Sequence, residues 1–126
     1  MRLHCHTRED ILLLSTLCQD AVYQPGWYSL DNQVLKIFLR RYCWENPEES
    51  LRRNSILTFH FVNNKSIFTK KWRKFKFLSL HCILVNNQEN LLHLLMSQDV
   101  TVAIKINHID IILEDISTSY SANKTI

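Results

Sequence analysis

Residues 91–116 read LLHLLMSQDVTVAIKINHIDIILEDI, and this stretch decides the fold. Leu91 to Met96 and Val100 to Ile106 are apolar runs parted by Ser97-Gln98-Asp99, the pattern of a hairpin. In the second arm Val102, Ile104 and Ile106 alternate with Thr101, Ala103 and Lys105, a period of two with one face turned to a core. At Asn107 the period changes. Ile109, Ile112, Leu113 and Ile116 stand at i, i+3, i+4 and i+7, which predicts a helix capped by Asn107 with Asp110 three residues on. Glu114 and Asp115 lie toward the negative end of its dipole, so the helix is expected to be short. The rival reading is a strand, because isoleucine-rich runs favour strands.

Upstream, Phe77 to Val85 reads as a strand with Leu78, Leu80, Cys82 and Leu84 on one face. Ser55 to Val62 reads as another, with Leu57, Phe59 and Phe61 aligned, and Asn63-Asn64 turns it into a return strand over Lys65 to Thr69. Trp27 to Leu30, the turn Asp31-Asn32, and Gln33 to Tyr42 form an earlier hairpin. In its second arm Leu35, Ile37, Leu39 and Arg41 alternate against Val34, Lys36, Phe38 and Arg40. Both faces carry apolar residues, so a central strand is expected. Pro25-Gly26 marks an edge or a bulge. Glu45 to Asn54 has no period and is expected to be a mobile connection. Thr7 to Asp10 has the form of a capping box, and Ile11, Leu14, Leu17, Cys18 and Ala21 follow at helical spacing, giving a helix from Arg8 to Asp20.

The expected fold is α+β. About seven antiparallel strands form a rolled sheet, with an N-terminal helix and a short C-terminal helix. That is the element order of pleckstrin-homology-like barrels, in which a final helix plugs one open end. A flatter sheet with both helices on one face is the alternative. A single domain is expected over 1–117, with a flexible polar tail at 118–126.

Composition bounds the function. The chain has 126 residues, 46% apolar and 21% charged, close to the soluble globular average. A chain of this length buries roughly 70% of its unfolded surface, so folding requires no metal or disulfide. The formal charge of +3 is below the excess of a dedicated nucleic-acid binder. No run is long and apolar enough for a membrane span. Glu9-Asp10 precede the apolar stretch Ile11 to Leu17 where an export signal would be cationic, so a cytoplasmic location is expected. Cys5, Cys18, Cys43 and Cys82 are dispersed, without a C-x-x-C pair; the last three are read as small buried apolar residues. With one glycine in the chain, left-handed turn positions must fall to Asn, Asp and Ser.

Five segments resemble, in order, a family of small alphaproteobacterial proteins, domain-of-unknown-function family 2948. Leu17-Cys18-Gln19-Asp20-Ala21-Val22 is similar to its "LQDAV" element, and Arg41-Tyr42-Cys43-Trp44-Glu45 to its "RFxWE". Arg52-Arg53 with Leu57, Phe59 and Val62 resembles "RR…LxFxxV". Leu78-Ser79-Leu80 with Ile83 resembles "LSLLAI", and Ile104, Ile106, Ile109, Leu113, Glu114 and Asp115 fit "IRLEVExIEAxLxDL". The chain departs from the pattern at Ser97-Gln98-Asp99, where the family usually has glycines, and at Lys70 to Lys76, where it is usually less basic. The resemblance implies a bacterial accessory role and brings no activity, cofactor or catalytic residue.

The leading candidate site is Arg40, Arg41, Trp44, Glu45, Arg52 and Arg53, at the end of a strand and across the loop after it. Arginines with a tryptophan suit a carboxylate or phosphate ligand; the plainer reading is that Glu45 pairs an arginine while Trp44 packs. This leads to a non-catalytic module binding a protein or small anionic ligand. The second candidate is Lys70, Lys71, Trp72, Arg73, Lys74 and Lys76, whose cations and aromatics suit RNA or another anionic surface. A small enzyme with an unrecognised site is the third reading. No Ser-His-Asp arrangement or phosphate loop stands out, so no catalytic residue and no cofactor are expected. His4-Cys5-His6 offers three ligand types, but nothing fixes the spacing of further ligands such as His60, His81, His93 or Cys82, and no metal is expected. Exposed strand edges leave a homodimer open.

Overall fold

The computed structural model describes residues 1–63, 74–86, 88 and 90–122, and the backbone pairing of 67–68. Among these residues the chain forms eleven strand segments and one α-helix, where seven strands and two helices were expected.

The first strand, β1 (Arg2–Cys5), occupies a stretch too short and polar to read as one, and it buries Cys5. Helix α1 (Arg8–Leu17) opens on the expected capping box: Asp10 N–H donates to Thr7 Oγ1 at 3.2 Å, and the Asp10 carboxylate accepts from Thr7 N–H at 3.1 Å. The helix stops three residues earlier than expected. Asp20 takes a left-handed φ of 62° and donates its N–H to the Leu80 carbonyl at 2.7 Å. That contact sends the chain into β2 (Ala21–Tyr23).

The expected hairpin forms as β3 (Tyr28–Asp31) and β4 (Val34–Tyr42), but its turn is Asn32-Gln33, one residue later than the expected Asp31-Asn32, because Asp31 pairs with Val34. Asn32 and Gln33 both have positive φ, 50° and 64°, a primed turn built without glycine. β4 is central, and Leu35, Ile37, Leu39 and Arg41 are its buried face. The next strand, β5 (Leu51–Phe59), begins inside the expected mobile connection. That connection shrinks to a 3-10 turn at Pro47–Glu49 and a left-handed Ser50, because Arg52, Arg53 and Asn54 pair with Tyr42, Arg41 and Arg40. Beyond Phe59 the alternation breaks. Phe61 has φ 58° and points outward, while Val62 turns in. The expected alignment of Phe61 with Leu57 and Phe59 is therefore lost.

β6 (Ile67–Phe68) pairs antiparallel with Val102 and Ala103. β7 (Leu78–Asn86) slips register between Leu80 and Cys82. The bulge at His81 buries Ile83 and exposes Leu84, which strict alternation had placed inside. The hairpin β8 (Leu91–Met96) and β9 (Thr101–Lys105) is as expected, with Gln98 and Asp99 both at positive φ in the turn.

The helix expected over 107–116 is instead β10 (Ile111–Asp115). Its backbone is paired on both sides, to β1 and to β5, and Ile111 and Leu113 point into the core. Two hydrogen-bonded neighbours and β-branched side chains outweigh the local helical spacing. Within the expected tail, Tyr120–Ser121 form β11, which pairs with the start of β5. The sheet order is β1-β10-β5-β4-β2-β7-β8-β9-β6, with β11 on β5 and β3 on β4. The sheet is open. Val62 bridges Ile106, bringing the end of β5 near β9. The terminal helix behind the pleckstrin-homology-like expectation is replaced by β10, and α1 packs on β7. One apolar core joins α1 to the inner sheet face, including Ile11, Leu14, Tyr23, Phe59 and Leu113.

Candidate functional site

The buried face of β4 ends in Arg41, whose side chain is 0% exposed. It reaches across β5 to Asp115 on β10, with Nε 3.1 Å from Oδ1 and Nη2 2.9 Å from Oδ2. Its outer edge grips Glu45, with Nη1 2.9 Å from Oε1 and Nη2 2.8 Å from Oε2, and Nη1 also donates to the Tyr42 carbonyl at 3.2 Å. A guanidinium has five N–H donors, and these five bonds use them all. Ser55 Oγ donates to Asp115 Oδ1 at 2.7 Å. Burial alone would raise the Asp115 carboxyl, but the hydrogen bonds of Arg41 and Ser55 and the Arg41 charge hold it below the ordinary value. The Arg41 hydrogen bonds likewise lower Glu45.

The neighbouring candidates are also engaged within the chain. Trp44 Nε1 donates to the Gln19 carbonyl at 2.8 Å, and its ring lies 4.7 Å from that of Tyr42. Arg52 Nη1 donates to the carbonyls of Asp20, at 3.1 Å, and Arg40, at 3.0 Å. Arg53 Nη1 donates to the Ser117 carbonyl at 3.3 Å. These residues tie the ends of β4 and β5 to the end of α1 and to the chain after β10.

Arg40 differs. It is on the other face of β4, and its guanidinium lies 5.0 Å from the Trp27 ring centroid. Arg40, Trp27, Phe38, Leu39, Asn54, Ser55 and Ile116 line a concavity of about 320 Å³. Phe38 and Ile116 are exposed, 37% and 52%, so its wall is apolar and its rim carries a cation. Of the six leading candidates, only Arg40 lines this hollow. The others sit in the polar knot and its braces.

Of the basic segment, Lys70, Lys71, Trp72 and Arg73 lie outside the described residues; Lys74 and Lys76 are exposed. Lys76 and Phe75 border a larger, shallow hollow of about 910 Å³ against Gln24, Pro25, Gly26 and Leu30.

One grouping was not assembled from the sequence. His4, His6 and Asp110 bring their ligand atoms within 4.8 Å of one another. His4 Nε2 is 2.6 Å from Asp110 Oδ1, and His60 Nδ1 is 3.4 Å from the same oxygen. The His4 hydrogen bond holds the Asp110 carboxyl below its ordinary value. The i, i+2 spacing of His4 and His6 is a legible hint, since alternate residues of an extended chain share a side. Asp110 stands just before β10 and His60 just after β5, and only the register of those strands brings them here.

The four cysteines are free, three buried and Cys82 half-buried. Among the described residues no helix is long and apolar enough to cross a membrane. No curated protein and no solved structure matches the chain. The family model described as "Protein of unknown function (DUF2948)" matches residues 1–125. With that match over nearly its whole length, the chain belongs to the DUF2948 family.

Proposed function

We propose that this protein is a non-catalytic, cytoplasmic binding module whose ligand carries an anionic group on an apolar body. The observation behind this reading is the concavity of about 320 Å³ beside β4, with Arg40 stacked on Trp27 at its rim and Phe38 and Ile116 exposed in its wall. Its size falls within the range of about 300–1,000 Å³ for small-molecule sites, and mixed apolar and cationic lining suits a carboxylate. A small acid and an acidic-apolar segment of a protein share this chemistry. Arg41 and Glu45 support the site from behind by fixing the end of β4.

The test is an amide-shift titration of the labelled protein with an aryl carboxylate and its neutral amide. The carboxylate shifts Phe38, Arg40, Asn54 and Ile116, and the amide shifts them less. Shifts absent from this group, or equal for both compounds, would overturn the reading. The alternative is binding of RNA or another anionic surface through 70–76, supported by exposed Lys74 and by exposed Lys76 at the larger hollow. It predicts binding that weakens steeply with salt.

A further inference from the structure

Three adjacent strands meet at one end of the sheet in an unusual row. The β1–β10 register pairs Cys5 with Ile111, and β10–β5 pairs Ile111 with Phe59, and all three side chains are buried. Just beyond this row, one residue after Cys5, one before Ile111 and one after Phe59, stand His6, Asp110 and His60. Alternation turns them to the outer face, where none is fully buried. His4 lies two residues before His6 on the same side. The main chain of this row is fixed. His60 N–H donates to the Asp110 carbonyl at 2.9 Å, and His6 N–H donates to the Asp10 carboxylate of the α1 capping box at 2.8 Å.

The side chains converge. The His4 and His6 rings are 4.0 Å apart between centroids, at 45°. Their ligand nitrogens and an Asp110 oxygen lie within 4.8 Å of one another. From this geometry we infer that His4, His6 and Asp110 form a binding site for a divalent first-row transition ion of the zinc class. Two imidazoles and one carboxylate are a donor set that zinc accepts, with a further position left for water. At bond lengths of about 2.0–2.2 Å, tetrahedral ligand atoms stand roughly 3.3 Å apart. The His4–Asp110 contact of 2.6 Å therefore opens by less than an ångström as the ion replaces the hydrogen bond. His60 is a positioning residue. Its Nδ1 is buried without a hydrogen-bond partner and faces Asp110 Oδ1 at 3.4 Å, the place of an outer-shell donor that orients a ligating carboxylate. His81 is exposed on β7, outside the group, and serves as the control.

The experiment is calorimetric titration of the reduced full-length chain with zinc chloride and with magnesium chloride, followed by cobalt(II) absorption. The site predicts one zinc per chain, no magnesium heat, and the intense visible bands of low-symmetry cobalt. His6→Ala and Asp110→Asn weaken zinc about tenfold or more, His60→Ala about tenfold, and His81→Ala not at all. At the same zinc concentration the melting temperature of the parent chain rises more than that of His6→Ala. Because His6 is exposed, this variant keeps the fold, and its circular dichroism checks that. Zinc uptake unchanged in His6→Ala, uptake lost in Cys82→Ser, or no stoichiometric uptake would each overturn the assignment and leave a surface His4–Asp110 pair.

Discussion

Arg41 on β4 and Asp115 on β10 are joined by two hydrogen bonds, of 3.1 and 2.9 Å, although β5 lies between their strands. The pair closes the polar end of an otherwise apolar inner face. Removing one partner of a buried pair strands the other charge, at a cost of about 3–5 kcal/mol. Arg41→Ala is therefore expected to lose about that much stability by urea unfolding. Arg40→Ala, on the outer face, is expected to lose under about 1 kcal/mol. Equal losses would mean that the knot contributes nothing special.

The same pair sets the acid limb of stability. Asp115 and, with more solvent screening, Glu45 have folded-state pKa values below their ordinary ones. A group depressed in this way contributes stability above its unfolded pKa and loses it as pH falls through the folded value. The urea midpoint should thus fall steeply below about pH 4. In Asp115→Asn that limb should be shallower, from a lower neutral starting point; parallel curves would show that the carboxylate is not responsible.

The knot was half legible. Alternation groups Arg41 with Leu35, Ile37 and Leu39 without saying which face is buried, and pairing of Glu45 with an arginine is the plainer sequence reading. Asp115 was not foreseen as a partner. Its segment has the spacing of a helix, and helix signals are local. The two strands that make it β10 are not local, and one of them, β1, is four residues of unremarkable sequence. The bulge at His81 was invisible for a similar reason, because the apolar alternation of 78–84 continues through it while Ser15 Oγ accepts the Ile83 N–H at 2.9 Å.

Turns built without glycine leave room for improvement. Gln33 holds φ 64° in the β3–β4 turn, a region that strains an L side chain. Gln33→Gly keeps its carbonyl, which accepts from Val62 N–H at 2.9 Å. It is expected to stabilise the protein by about 0.5–1 kcal/mol, read as a higher urea midpoint. An unchanged or lower midpoint would place the strain elsewhere.

Thiol chemistry should be ordered by burial. Desolvation pushes Cys18 up to about 12 and, with the charge of Asp10, Cys5 up to about 11. Cys82 is the half-buried one. Ellman's reagent at neutral pH is therefore expected to titrate one thiol quickly in the native protein, and Cys82→Ser should remove that phase. Rapid reaction persisting in the variant would place the accessible thiol elsewhere.

The most direct measurement of how this protein binds is affinity capture from cytoplasmic extract. The parent chain and Arg40→Ala are compared with and without ribonuclease, at low and moderate salt. Binding at the Trp27–Arg40 concavity predicts a retained partner that survives ribonuclease and moderate salt and is lost in Arg40→Ala. RNA that co-purifies equally with both proteins and is released by salt would instead assign binding to the basic segment at 70–76.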